Sequence, residues 1–136
     1  MIDVSSDAPE KSILDFVKQW MKLLADDRFD EACALLEHPN SYGVVWTPNL
    51  IKEIVHDTFS PDTHFYKFHP EGPIFTDPYE LEEQRNIEPI ELNDGSGYAF
   101  DYDVPLNGGW SDLTAQFEIL KKPNGYVVFL DDLHVL

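Results

Sequence analysis

The 136-residue chain has the length of one domain, and its 43% hydrophobic and 13% aromatic residues can form a core, which excludes wholesale disorder. Its 26 Asp and Glu against nine Lys and Arg give a formal net charge of −17, which argues against nucleic acid or an anionic membrane surface as a partner. One cysteine, no long apolar run and an acidic N-terminus unlike a signal peptide favour a cytoplasmic protein without disulfides.

The first third of the chain predicts three helices. Residues 7–10 resemble a capping box, and the apolar residues between 13 and 24 then recur every three or four positions. After a short polar break, residues 29–36 repeat this spacing, so the first two helices should form a hairpin. Thr47, followed by proline, predicts the cap of a third helix.

Residues 60–89 contain five prolines and predict an irregular segment rather than a long regular element. Within it, residues 64–69 are predicted as a strand. Asp77 is predicted to cap a short helix that runs to Arg85.

The last third predicts an antiparallel sheet. Residues 98–104 and 113–119 alternate apolar and polar positions, residues 126–136 form a final strand, and residues 90–92 suggest a further one. Glycine-containing turns separate the strands. The sequence therefore predicts a single α+β domain over residues 1–136, with three N-terminal helices packed on a curved antiparallel sheet.

Pairing the strands at their turns assigns side chains to faces. With Lys121 opposite Tyr126 in an uninterrupted ladder, one face is apolar and should be covered by the helices. Asp132 and His134 fall on that same face. The predicted pocket residues on this face are Tyr98, Phe100, Tyr102, Leu113 and Phe117.

The opposite face is predicted to be acidic on two strands and apolar on the last. An exposed apolar strip of this kind needs a cover, and a homodimer formed through this face supplies one. The alternative cover is the proline-rich segment, through residues such as Phe65 and Phe75. The predicted interface residues are Trp110, Val127, Phe129, Leu133 and Val135.

The helical stretch ILDFVKQWMKLLADDRFDEACALL, a third helix and a sheet that ends the chain resemble the nuclear transport factor two-like superfamily. The strings GGWSDLTAQFEIL and DDLHVL are similar to those of its small bacterial members without an assigned activity. The resemblance implies a cystatin-like α+β cone. Isomerases, dehydratases, hydrolases, ligand-binding and dimerisation modules and immunity-type proteins all use this fold, so the fold does not select the function.

Asp132 and His134 are the sharpest candidates for chemistry. Two residues apart on a strand, they point the same way and lie about 7 Å apart. In an apolar pocket the Asp132 carboxylate would have a raised pKa and serve as a general base. The alternative is a structural role, in which both bond to backbone or to Trp110 and Ser111 at the end of the sheet.

Other chemistry-bearing residues predict no cofactor and no metal site. His64 and His69 are five positions apart in a non-helical stretch, which is the wrong spacing for a two-histidine helical site. Cys33 lies on the apolar side of the second helix and is expected to be a buried hydrophobic residue. The glycines form hairpin turns rather than a phosphate-binding loop.

The acidic excess is uneven, at −6 over residues 1–68 and −11 over residues 69–136. Strong acidity without a complete catalytic constellation favours a non-catalytic module that binds a protein partner, which includes immunity-type neutralisation of a basic toxin. The alternatives are a small-molecule isomerase, dehydratase or hydrolase with its ligand in the cone, and a structural dimerisation domain. A filled interior favours the module, whereas an open cavity that ends at Asp132 and His134 favours the enzyme.

Overall fold

The structure is a computed structural model that describes residues 1–84 and 87–136. It is an α+β fold, as predicted, whose antiparallel sheet has the strand order β1-β2-β3-β4. Within the described residues, no helix is long and apolar enough to cross a membrane. The elements are α1 (Pro9–Ala25), α2 (Phe29–Ala34), α3 (Pro48–Thr58), α4 (Phe65–Phe68), a 3-10 turn (Pro78–Glu80), β1 (Ile90–Glu91), β2 (Gly97–Leu106), β3 (Gly109–Lys122) and β4 (Gly125–Val135).

The hairpin of α1 and α2 packs on the sheet through Trp20. The indole Nε1 of Trp20 donates to the carbonyl of Ala32 over 2.8 Å, which ties α1 to α2. Its ring meets Phe117 of β3 edge to face, with centroids 5.5 Å apart. The apolar spacing in α1 predicted this buried side, and one residue thus joins both helices to the sheet.

The helix starts follow the predictions at α3 but not at α1. The side chain of Thr47 accepts a hydrogen bond from the Leu50 amide over 3.1 Å, so the predicted cap is confirmed. The capping box before α1 is wrong, because Ala8 occupies the cap position and makes no side-chain bond. Instead, the hydroxyl of Ser5 accepts from the amides of Asp7 and Ala8.

The proline-rich segment is irregular, as predicted, but two details within it are wrong. Residues 64–69 contain the helical turn α4 rather than a strand, because stacking of the Phe65 ring against Phe59 and His69 requires a local turn. Asp77 does cap a helical turn, but only the 3-10 turn, since Leu81 is already extended. The predicted end at Arg85 lies outside the described residues.

The pairing of β3 with β4 follows the prediction only as far as Phe117. Phe117 lies opposite Leu130, but the preceding residue, Gln116, lies opposite Asp132. Asp131 is therefore an extra residue on β4, which is the definition of a β-bulge. A bulge of one residue reverses which face every later side chain occupies.

The predicted faces are consequently wrong for the last four alternating positions of β4. Leu133 lies opposite Ala115 and Val135 opposite Leu113, so both belong to the helix-covered face, where Leu133 is buried. Asp132 and His134 lie on the outer face instead. The bulge is favourable because it buries Leu133 and keeps the polar side chains of Asp132 and His134 out of the core.

The loop after α2 covers the free edge of β4 at the bulge. The side-chain amide of Asn40 donates to the carbonyls of Leu130 and Asp131, over 2.9 and 3.2 Å, while its oxygen accepts from the amides of Tyr42 and Val44. The Trp46 indole also donates to the Leu130 carbonyl, over 2.6 Å. These bonds satisfy backbone groups that the interrupted ladder leaves unpaired.

Candidate functional site

Six carboxylic acids occupy the outer face of the sheet, the face turned away from the helices. We call this surface the acidic face. The outward position of these acids follows from the alternation along β2 and β3 and from the bulge in β4. Its members are Asp101, Asp103, Asp112, Glu118, Asp131 and Asp132.

The acidic face is arranged in rows across the strands. Asp101 of β2 lies opposite Gln116 of β3, which lies opposite Asp132 of β4. Because neighbouring strands are about 4.8 Å apart, this row spans about 10 Å. The next row contains Asp103, Thr114 and His134 in the same order.

Asp131 and Glu118 bring two carboxyl groups together beside Ser41. The Ser41 hydroxyl donates to Oε1 of Glu118 over 3.1 Å, and Oδ1 of Asp131 is buried without a hydrogen-bond partner among the described residues. Burial, followed by the contact with Glu118, raises the pKa of Asp131 to about 7. Near neutral pH Asp131 is therefore partly protonated beside Glu118.

Asp103 is the second perturbed acid on this face. Partial burial is the main cause of its raised pKa, with the negative charges of Asp112 and Asp101 adding to the shift. The hydroxyl of Thr114 donates to its Oδ1 over 3.4 Å and opposes the shift. The acids of the acidic face therefore lie close enough together to raise one another's pKa, which the amino-acid composition alone does not show.

No carboxylate of the acidic face forms an ion pair with a Lys or Arg among the described residues. Four basic residues pair with acids of the helices or of the segment before β1: Lys11, Lys18, Lys22 and Arg28. On the face itself, the imidazole Nδ1 of His134 lies 3.0 Å from Oδ2 of Asp132. The face therefore keeps its negative charge uncompensated.

The structure places Asp132 and His134 together, but not in an apolar pocket. The side chains of Asp132 and His134 are 51% and 40% exposed, on the opposite side of the sheet from Tyr98 and Tyr102. Oδ1 of Asp132 accepts a hydrogen bond from the amide of Leu133 over 2.8 Å, which orients the carboxylate locally. The predicted catalytic role of this pair stays a prediction.

The predicted pocket residues fill the interior. Four of them, Phe100, Tyr102, Leu113 and Phe117, are at most 2% exposed, and Tyr98 is half-buried at the edge of the core. None of the five lines a cavity described for residues 1–84 and 87–136. Burial also raises the pKa of Tyr102, whose hydroxyl is thereby held neutral.

The predicted interface residues are dispersed. Leu133 and Val135 lie on the helix-covered side, while Val127 is buried and Phe129 half-buried on the outer side. Trp110 lies about 33 Å along β3 from the partner of Val127. Its ring packs edge to face on Tyr102, and its indole donates to the Glu82 carbonyl over 3.1 Å.

The histidines and the cysteine add no further constellation. Within the described part of the chain, no group of three or more His, Cys, Asp or Glu side chains is arranged to hold a metal ion. Cys33 is buried, and burial raises the pKa of its thiol, which suits a small hydrophobic residue better than a nucleophile.

Sequence reasoning missed the carboxyl pair of Asp131 and Glu118 because it assumed an uninterrupted ladder. The available signal is the pair of consecutive acids, Asp131 and Asp132, in an otherwise apolar strand, because two neighbouring residues of a regular strand point to opposite faces. Nothing in the sequence alone brings Ser41 to the same place, since that contact depends on how the loop after α2 packs.

A family model described as a domain of unknown function, DUF7668, matches residues 53–136. The matched part contains the end of α3, the proline-rich segment and the whole sheet, and so includes every residue of the acidic face. A search of the curated proteins and a search of the solved structures found no match.

Proposed function

The chain belongs to the DUF7668 family, and we propose that it is a non-catalytic binding module whose acidic face binds a basic protein. One observation carries the proposal: six carboxylic acids share this face, and none is paired with a Lys or Arg of the described residues. Uncompensated charge of one sign on a rigid sheet is what electrostatic steering of a partner requires.

The raised pKa values of Asp103 and Asp131 support the proposal. Burial is the main cause of both shifts, and neighbouring acids add to them, so a cation placed among these groups would relieve the repulsion between them. Lys or Arg side chains of a partner would supply that cation, and binding would displace protons from the face.

The size of the face favours a protein over a small molecule. Its rows span about 10 Å across β2, β3 and β4, and from Asp101 to Asp112 it also extends along the strands. Several basic side chains fit over such an area at once. A basic toxin neutralised by this protein is one partner of this chemistry.

The filled interior counts against the enzymatic alternative. An isomerase, dehydratase or hydrolase of this architecture needs a cavity between helices and sheet, and in this chain Phe100 and Phe117 occupy that space. The predicted catalytic pair, Asp132 and His134, lies on the acidic face, on the opposite side of the sheet from that space.

We further propose that the chain is related to the nuclear transport factor two-like superfamily and its small bacterial members, and that it works in the cytoplasm. Three features support the relationship: the hairpin of α1 and α2, the third helix α3, and the antiparallel sheet that follows them. Cys33, a lone buried thiol, suits a reducing compartment.

The homodimer through the outer face stays a prediction, and the structural dimerisation domain with it. Its argument required four apolar side chains on one strip, and only Val127 and Phe129 lie there. A dimer that used this face would also bring two acidic faces together, which electrostatic repulsion disfavours.

Affinity capture with a matched pair of variants tests the proposal. The wild type and an acidic-face variant, D101N/D112N/D132N, are immobilised and exposed to a lysate of the native cell at low salt. The control D30N/E53Q/D57N removes the same number of charges from exposed positions of α2 and α3. Bound proteins are eluted with salt and identified by mass spectrometry.

The proposal expects one stoichiometric basic protein on the wild type and on the control, and its loss from the acidic-face variant. A protein retained equally by all three baits contradicts the proposal, because the face would then be irrelevant. Equal loss from both variants also contradicts it, since net charge alone would explain the binding. Recovery of no protein would favour a ligand-binding role instead.

A further inference from the structure

The largest described cavity lies among the helices and is separate from both the sheet and the acidic face. It has a volume of about 490 Å³, within the range of small-molecule sites. It is formed where α1 ends, α2 begins and α3 packs against residues 66–75, and no residue of the sheet lines it.

The floor of this cavity is apolar and partly aromatic. Phe29, at the start of α2, packs edge to face on Phe75 with ring centroids 5.6 Å apart. Leu24 and Val55 are buried beside them. A ring or a branched chain of similar size would therefore gain apolar burial here.

Lys52 is the basic side chain, Lys or Arg, that lines this cavity. The ammonium of Lys52 lies over the Phe29 ring, 4.5 Å from its centroid, and has no carboxylate within ion-pair distance among the described residues. His56 follows one turn later on the same side of α3, and Tyr66 adds a ring with a hydroxyl. In a chain with 26 acids, a lysine held over an aromatic ring without an acid partner is an unusual feature.

Two carboxylates also line the cavity, but they are differently placed. Glu71 already accepts from the Asn107 amide over 2.8 Å and lies 3.5 Å from His69, and its own backbone amide together with Asn107 keeps its pKa low. Asp27 is exposed at the rim. Their negative charges disfavour an anion near them, so an anion bound in this cavity is favoured beside Lys52.

We propose that this cavity binds a small carboxylate with an apolar body, its carboxylate on Lys52 and its body against Phe29, Phe75 and Val55. The ligand class follows from the two halves of the site, an apolar floor and a cation fixed above it. A charge-assisted bond to Lys52 would distinguish a carboxylate from its neutral amide. The inference is independent of the proposed binding of a basic protein, because the two sites share no residue.

The test is an NMR titration of the whole chain with 3-phenylpropionate and, in parallel, with the neutral 3-phenylpropionamide. We expect saturable amide shifts around residues 29, 52–56 and 66, with a Kd of about 1 mM or tighter. The amide should bind at least about tenfold more weakly, since it cannot accept a charge-assisted bond.

Three variants complete the test. Lys52→Met keeps the apolar stem, removes the charge and should weaken 3-phenylpropionate about tenfold or more. The control Lys67→Met, at an exposed position of α4 that does not line the cavity, should leave the affinity unchanged. Asp27→Asn should tighten binding, and Asn tolerates the left-handed backbone of this position, where φ is +60°.

The wild-type comparison of acid and amide keeps the test valid even if a variant fails to fold. Equal affinity for the two compounds overturns the proposal, and so does an unchanged Kd in Lys52→Met. Tighter binding of phenethylamine than of 3-phenylpropionate would assign the site to cations and overturn it as well. Absence of any saturable shift up to about 10 mM, a concentration well above the expected Kd, has the same consequence.

Discussion

The side-chain amide of Asn40 donates to the carbonyl of Leu130 over 2.9 Å, and this bond fixes the loop after α2 to β4 at the bulge. Asn40 is only 5% exposed and makes four hydrogen bonds to the backbone. The bulge, in turn, decides which face carries the charges of the final strand. The acidic face therefore depends on a residue that lies 90 positions away in the chain.

We expect Asn40→Ala to lower the free energy of unfolding by about 2–4 kcal/mol. The substitution removes four hydrogen bonds. The Leu130 carbonyl keeps its bond from Trp46, but the Asp131 carbonyl and two amides lose their side-chain partner, and each unpaired group costs about 1–3 kcal/mol before relaxation. Urea denaturation measures the change. Asn93→Ala, at an exposed turn, is the control and should differ from wild type by less than about 0.5 kcal/mol.

Deletion of Asp131 should be tolerated, whereas deletion of Phe129 should not. Without Asp131 the ladder loses its extra residue, yet Leu133 keeps its place on the helix-covered face. Without Phe129, the regular part of β4 changes face and either exposes Leu130 or forces a new bulge. Circular dichroism and a proton–nitrogen NMR spectrum should report a native fold only for the first deletion. An unfolded Asp131 deletion would contradict the assignment of the bulge.

Asp131→Asn should stabilise the protein above pH 7 by about 1 kcal/mol, after the shift is discounted for solvent screening of a half-buried group. The folded state holds a proton on the pair of Asp131 and Glu118 up to about pH 7, whereas the unfolded chain loses it near pH 4. The wild type therefore loses stability as the pH rises through this window, and the full penalty is present above it.

The measurement is urea denaturation at pH 4, 6 and 8. Glu118→Gln should act in the same direction, because it removes the neighbouring negative charge that raises the pKa of Asp131. Glu53→Gln, at an exposed position of α3 outside the acidic face, is the matched control. The contribution of Asp131 is the free energy of unfolding of the wild type minus that of Asp131→Asn. A contribution that rises from pH 4 to pH 8 would contradict the account.

Gly97→Ala should destabilise the protein by more than about 3 kcal/mol or prevent folding. A Cβ at Gly97 would lie 2.0 Å from the carbonyl oxygen of Ile119, which is backbone and cannot move aside. At Gly95, by contrast, φ is +74° and nothing lies within 4 Å, so Gly95→Ala should cost only about 1–2 kcal/mol of backbone strain. Thermal unfolding of both variants checks the difference.

The sequence predicts those parts of the fold in which the spacing of apolar residues is consistent with only one secondary structure and one buried side. The apolar spacing from Ile13 to Leu24 fits only a helix with a single buried side, and the hairpin turns define the register next to them. Lys121 opposite Tyr126 follows from the turn alone. Local chemistry is sufficient in both cases.

The faces at the end of β4 could not be predicted in this way, because the residues before it do not alternate between apolar and polar. Val127 and Val128 are followed by Phe129 and Leu130, so apolar residues occupy every position before the two acids. Only burial of Leu133 and the bonds from Asn40 select the bulge, and both arise from tertiary packing. The cavity at Lys52 depends in the same way on how residues 66–75 pack against α3.

The most direct measurement of the central claim is the association rate constant of the captured basic partner as a function of salt, for wild type and for the charge-reversal variant D101K/D132K. The matched control is D30K/E53K on α2 and α3. The account predicts association slowed about tenfold or more by D101K/D132K at low salt, little change with the control, and a difference that shrinks as salt screens the face. An association rate that is indifferent to salt, or equally slow in both variants, would contradict it.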